Sequence, residues 1–158
     1  MMGMVNQYII LRKDAPTVTG DLVSPAKLAV MTAHASSWFI FNYAPIWNRI
    51  SADHYKVKWL FDETLETSRE VYDDLDAWAE NNFTKILLGA KTKDFNKLSD
   101  KLKEAGLREN RDFFIVHDLC NTELLPDEGS TTCTIAIGLR PMKEEIVKPL
   151  VKRIQIYR

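Results

Sequence analysis

Lys27-Leu28-Ala29-Val30-Met31-Thr32-Ala33-His34-Ala35 and the later Asp118-Leu119-Cys120-Asn121-Thr122-Glu123 are the two stretches on which the fold depends. The first follows Ser24-Pro25, a strong helix start: serine accepts from first-turn amides, and proline at the next position loses no useful donor. Leu28, Met31, Ala35, Trp38 and Ile40–Phe41 then give a broad apolar side to a helix expected to run to about Tyr43, ahead of Pro45. The second stretch comes where the continuously apolar Phe113-Phe114-Ile115-Val116 breaks into a polar loop. It reads as a buried strand (residues 112–116) ending beside an aspartate.

Working outward, Gln7–Arg12 reads as a buried strand, and Asp14-Ala15-Pro16 carries turn chemistry. Residues 45–60 are irregular. A second helix is expected from about Thr64 to Asn81, with Leu65, Val71, Leu75 and Trp78 at helical spacing. Phe83–Leu88 is a strand, and Phe95, Leu98, Leu102 and Ala105 mark a third helix that stops at Gly106. Cys133–Gly138 is a fourth strand, Met142–Val151 a last helix that Pro149 ends or kinks, and Ile154–Tyr157 a short terminal strand. The order predicts one α/β domain over residues 1–158. It has three layers: a mixed, mostly four-stranded sheet with helices on both faces.

With 158 residues, 46% apolar and 27% charged, the chain suits a soluble globular domain with a real core. No apolar run approaches the ~20 residues of a membrane span. The start lacks a cationic segment followed by an apolar core, so no secretory signal is expected. Cys120 and Cys133 lack metal-ligand spacing and read as reduced thiols of a cytoplasmic protein. His34, His54 and His117 show no metal spacing either, and no glycine-rich phosphate loop is present. Net charge is −1, but acidic residues concentrate in 62–80 and basic ones in 85–111 and 140–158. Such runs are usually solvated helix faces. Here they also suggest one acidic and one basic side.

The two quoted stretches resemble the type 2 peptidyl-tRNA hydrolase family. Its first helix reads roughly K-I-A-x-Q-x-S-H-A and its later strand-to-loop segment D-A-G-R-T-E. Lys85-Ile86-Leu87-Leu88, Glu104-Ala105-Gly106-Leu107 and Thr134-Ile135-Ala136-Ile137-Gly138 are similar to the family's K-V-V-L, E-A-G-L and V-L-A-I-G segments, in the same order. The resemblance implies hydrolysis of the ester joining a peptide to the 3′ ribose of tRNA, in translation, with peptidyl-tRNA as partner and no cofactor or metal.

It also implies site residues. Lys27, in the first turn of its helix beside amides that favour anions, suits a phosphate or oxyanion. Asp118 would orient water, a ribose hydroxyl or Lys27, although an aspartate there also suits an Asx-type turn. Thr122 would donate to substrate or fix Asp118. His34, seven residues after Lys27 and on the same side of the helix, is a candidate general base. The same period sets it beside buried residues, where a core histidine is the commoner outcome. Asn121, Thr132, Lys91 and Lys93 are candidate substrate contacts. The chain departs from the family at Cys120 for glycine, Asn121 for arginine, Met31 for glutamine and Ala33 for serine. Losing the glycine is expected to block a special backbone conformation. Losing the arginine removes a bidentate phosphate donor.

Three functions therefore stay open: an active peptidyl-tRNA hydrolase, a catalytically silent member of the fold binding RNA or a protein, and a small-molecule hydrolase. The acidic region of about 45–82, enlarged relative to the family, is expected either to lie away from the Lys27–Asp118 cleft or to serve a homodimer contact, with Trp47, Trp59 and Trp78 as apolar anchors.

Overall fold

The computed structural model describes the backbone of residues 3–50 and 65–158 and the side chains of residues 3–39 and 69–158. The chain runs β1 (Val5–Arg12), α1 (Pro25–Ile50), α2 (Leu65–Glu80), β2 (Lys85–Ala90) and α3 (Thr92–Glu104). It continues through β3 (Phe113–Asp118), β4 (Cys133–Leu139), β5 (Met142–Lys143), α4 (Glu144–Val151) and β6 (Gln155–Ile156). The sheet order is β3-β4-β1-β2-β6, with β5 also paired to β1. β1 and β2 are parallel, and the other pairings are antiparallel.

All of β1 is buried, because both faces of the sheet are covered. Tyr8 and Ile10 pack with Phe95, Leu98 and Leu102 of α3 and Val147 and Val151 of α4. Ile9 and Leu11 pack on the other face with Met31 and Ala35 of α1. A third cluster joins Val5 to Trp38 and Phe39 of α1 and to Val71, Leu75 and Trp78 of α2. The α/β architecture with helices on both faces is as the sequence indicates. The sheet has six strands rather than four. The first two residues of the expected last helix, Met142 and Lys143, pair instead with Asn6 and Val5.

Three other boundaries differ. The first helix continues through Pro45 to Ile50; a proline forfeits one backbone hydrogen bond, and the rest of the helix still forms. Asn82 and Phe83 have positive φ, so the strand after α2 starts at Lys85. Pro149 lies inside α4, which ends two residues later at Val151. The stop at Gly106 is as expected. Its φ is 86°, and Leu107 N–H donates to Leu102 O (3.0 Å) while Gly106 N–H donates to Lys103 O (2.9 Å), closing a Schellman motif.

Two contacts set α1 on the sheet. A Cβ on Gly138 would lie 1.8 Å from the carbonyl oxygen of Ala35, so the helix backbone rests directly on β4. Gln7, fully buried in β1, donates to Ser36 O (2.7 Å) and accepts from Ser36 Oγ (3.0 Å). At the other end of the sheet, buried Arg140 donates to Asp112 (2.9 Å) and to Asp74 of α2 (2.8 Å). Trp78 is an internal residue, donating to Thr84 O (2.8 Å) and meeting Phe39 and Phe83 edge-on. It therefore cannot anchor a partner subunit. Trp47 and Trp59 lie outside the described side chains.

The Gly138 contact is backbone on backbone and has no flexible side chain to yield. Gly138→Ala should therefore destabilise the fold by about 3 kcal/mol or more, the upper range for overpacking a core. Denaturant unfolding checks this.

Candidate active site

The strands β1, β2 and β3 run in the same direction, so Arg12, Ala90 and Asp118 close one edge of the sheet. In α/β sheets ligands gather at the carboxyl ends of strands. The helix α1 starts at this edge, and its first turn sends the Lys27 side chain to Asp118. Lys27 Nζ lies 2.5 Å from Asp118 Oδ2 and 3.3 Å from Thr122 Oγ1. The pair is sheltered, its side chains being 15% and 7% exposed.

Asp118 also fills the alternative role suggested by its position. Its Oδ1 accepts from Cys120 N–H (2.8 Å), an Asx turn, while Oδ2 takes the lysine. One oxygen shapes the loop and the other faces the cation. Cys120 has φ 59°. The left-handed conformation expected to be lost with the family's glycine is thus retained by a cysteine, at a cost of about 1 kcal/mol.

The start of α1 is held from a distance. Ser24 Oγ accepts from Lys27 N–H (3.2 Å), and Glu123 accepts from Ser24 N–H (3.0 Å) and Oγ–H (2.5 Å). In a capping box the acid stands three residues after the cap. That residue here is Lys27, and Glu123 of the β3–β4 loop takes the acid's place. The Ser24 donors hold the Glu123 carboxyl below its ordinary pKa range. The helix start is therefore already occupied by a carboxylate, in contrast to the open anion site that the sequence suggests. The loops before α1 and after β3 are also zipped together by Val18 N–H to Glu123 O (2.8 Å) and Leu125 N–H to Pro16 O (2.9 Å).

The remaining candidates differ in setting. His34 is exposed on α1, not in the core. It is about 10 Å along the axis from Lys27, by the rise of a helix. Asn121 is exposed. Thr132 bonds within its loop, its carbonyl accepting from Asp127 N–H (2.9 Å) and its N–H donating to Ser130 Oγ (3.1 Å). The residue paired with Asp118 across the strands is Cys133. Lys91 and Lys93 are exposed at the start of α3, on the same edge of the sheet.

The same edge carries a polar network built from residues far apart in the sequence. Arg12 donates to Asp127 Oδ1 (2.6 Å) and Thr92 Oγ1 (2.8 Å), and Asp127 Oδ2 accepts from Thr134 N–H (2.8 Å) and Oγ–H (3.0 Å). Burial works against the Asp127 charge, but these donors hold its carboxyl below the ordinary range. The one visible signal is an arginine closing an otherwise apolar strand. Among the described residues, no group of three or more His, Cys, Asp or Glu is placed to hold a metal. No helix among them is long and apolar enough to cross a membrane.

Fold and site together define an α/β protein with a sheltered lysine–aspartate pair at the carboxyl edge of its sheet. The family model for peptidyl-tRNA hydrolase PTH2 matches residues 5–157, and the chain belongs to that family. A search of curated proteins gives no match.

Neither cysteine suits a nucleophile. Burial, then Asp127, pushes the Cys133 thiol up to about 11, and burial, then Asp118, raises Cys120. At pH 8 Cys133 should hold only about one thiolate in a thousand. Native protein titrated with a thiol reagent should therefore leave Cys133 unlabelled until it is unfolded.

Proposed function

We propose that the protein hydrolyses the ester between a peptide and the 3′ ribose of tRNA, acting in translation in the cytoplasm. The observation carrying this reading is the 2.5 Å pair of Lys27 and Asp118, sheltered between two zipped loops and joined by Thr122. Ester hydrolysis needs a positioned water, stabilisation of a developing oxyanion and a hold on substrate phosphate. An ammonium has three donors. Two meet Asp118 and Thr122, which leaves a third for a substrate oxygen. As negative charge grows on that oxygen it competes with Asp118 for the lysine. As the lysine shifts to that oxygen, Asp118 Oδ2 takes a proton from the water whose oxygen bonds the ester carbon, and returns it to the 3′ oxygen of the ribose as the ester bond breaks. The Asx turn keeps the carboxylate aimed during the exchange, because Oδ1 stays on Cys120 N–H. Thr122, accepting from Lys27, keeps its own proton to donate to the substrate.

A second reading, a silent member of the fold that binds RNA or protein, is favoured by two departures. Asn121 offers no bidentate phosphate donor where the family has arginine. Met31, in place of a glutamine, is buried in the core. Release of tRNA from a model peptidyl-tRNA by the pure protein separates the two readings. Binding without release supports the silent one.

Lys27→Ala should lower turnover by ~10²-fold or more, the scale for losing one electrostatic stabiliser. Unchanged turnover would reject its role. Lys91, Lys93 and the neighbouring basic residues should give tRNA binding that weakens steeply with salt, with a slope of about −0.9 per neutralised phosphate in duplex regions. Affinity that stays flat from low to moderate salt contradicts phosphate contact.

A further inference from the structure

The bonds around Ser24 form a directed chain. Glu123 accepts from the backbone N–H (3.0 Å) and the hydroxyl (2.5 Å) of Ser24, across 99 residues of sequence, and the Ser24 oxygen accepts from Lys27 N–H (3.2 Å). A serine hydroxyl has one proton. With that proton committed to Glu123, a lone pair of the oxygen is turned towards Lys27. Glu123 is also the neighbour of Thr122, and its carbonyl accepts from Val18 N–H (2.8 Å). One residue thus fixes both the helical turn that carries Lys27 and the loop that carries Thr122.

We propose that Glu123 is a positioning residue that acts through Ser24 to hold Lys27 between Asp118 and Thr122. This rests on the reading of Lys27 as the group that meets developing charge. Both Glu123 oxygens are engaged by Ser24, so Glu123 is not the base that activates water. A carboxylate suits the task because it offers two acceptors to two donors. A glutamine would offer one acceptor and set an NH₂ group against a donor. The effect is confined to the first turn. The helix is held on the sheet independently by Ser36 on Gln7 and by Ala35 on Gly138, further along α1.

The test compares hydrolysis of a model peptidyl-tRNA by the wild type, Glu123→Gln, Ser24→Ala, Lys27→Ala and the double variants. It also follows hydrogen exchange at the Lys27 amide and thermal melts. Glu123→Gln and Ser24→Ala should each lower kcat about tenfold with KM changed less than about twofold, the signature of a contact used in the transition state. The pair should be no worse than the worse single change, because both break one chain. In the Lys27→Ala background, Glu123→Gln should add nothing. Exchange at the Lys27 amide should quicken in Glu123→Gln.

Unchanged exchange overturns the proposal. So does a kcat loss that persists in the Lys27→Ala background, or one that follows the folded fraction in the melts. Quicker exchange in a protein whose wild type releases no tRNA overturns the catalytic reading, and the positioning role with it. Wild-type hydrolysis with an unaffected Glu123→Gln variant overturns the positioning role alone.

Discussion

The direct seating of α1 on β4 governs the rest of the molecule. With no side chain at Gly138, the carbonyl of Ala35 comes closer to the strand than any Cβ would permit. The buried Gln7–Ser36 exchange then fixes rotation about the helix axis, since both ends of the amide are engaged. With position and rotation set, the first turn of α1 can fall at only one place along the sheet edge. Lys27 lies about two turns before Ala35, in that first turn, and so arrives at the end of β3. Packing in the middle of the helix thus sets where its first turn falls, and the Ser24–Glu123 bonds then fix that turn beside Asp118.

That arrangement has a cost that the loops offset. Drawing an ammonium and a carboxylate out of water is unfavourable unless geometry and additional hydrogen bonds compensate. Asp118 receives Cys120 N–H as well as Lys27, and Lys27 meets Thr122 as well as Asp118. The neighbouring Arg12–Asp127 clamp ties the far part of the β3–β4 loop to the sheet and to Thr92 of α3. The loop is thus held at three points: Asp118, Glu123 and Asp127. The acidic face of α2 is at the opposite end of β1, beside β5 and the Arg140 cluster, where Asp74 is neutralised by a buried arginine. The negative charge of α2 is thus kept away from the candidate site.

What was legible in the sequence was local or periodic. Ser24-Pro25 announced the start of α1, Gly106 announced the end of α3, and continuous apolar strands announced a sheet covered on both faces. Lys27 and Asp118 stood out through the motif, and the structure brings them together. Long-range polar pairing was not legible. Nothing in the local pattern of Glu123 says that its partner is a serine 99 residues away, and nothing marks Arg12 as the partner of Asp127. Helical period suggested a core position for His34, but the apolar stripe passes through Met31 and Ala35 and leaves His34 on the exposed side. The left-handed backbone at Cys120 is hidden from the sequence for a different reason. Propensity disfavours it by about 1 kcal/mol, and the bond from Cys120 N–H to Asp118 Oδ1 offsets a cost of that size.

The departures from the family motif sort by what surrounds them. Met31 packs among Ile9, Leu11, Val116 and Ile135. A glutamine in that shell would need hydrogen-bond partners to offset its burial. The apolar residue removes that need and strengthens the cluster under the start of α1. Ala33 is exposed, and Asn121 is exposed beside Thr122, so neither alters the packing that delivers Lys27. Cys120 keeps the turn. The departures therefore leave the lysine–aspartate pair standing and fall on the groups around it. The placement of the cation and the carboxylate survives such changes. Asn121 supplies no forked donor, and the exposed lysines at the start of α3 share the sheet edge with the pair.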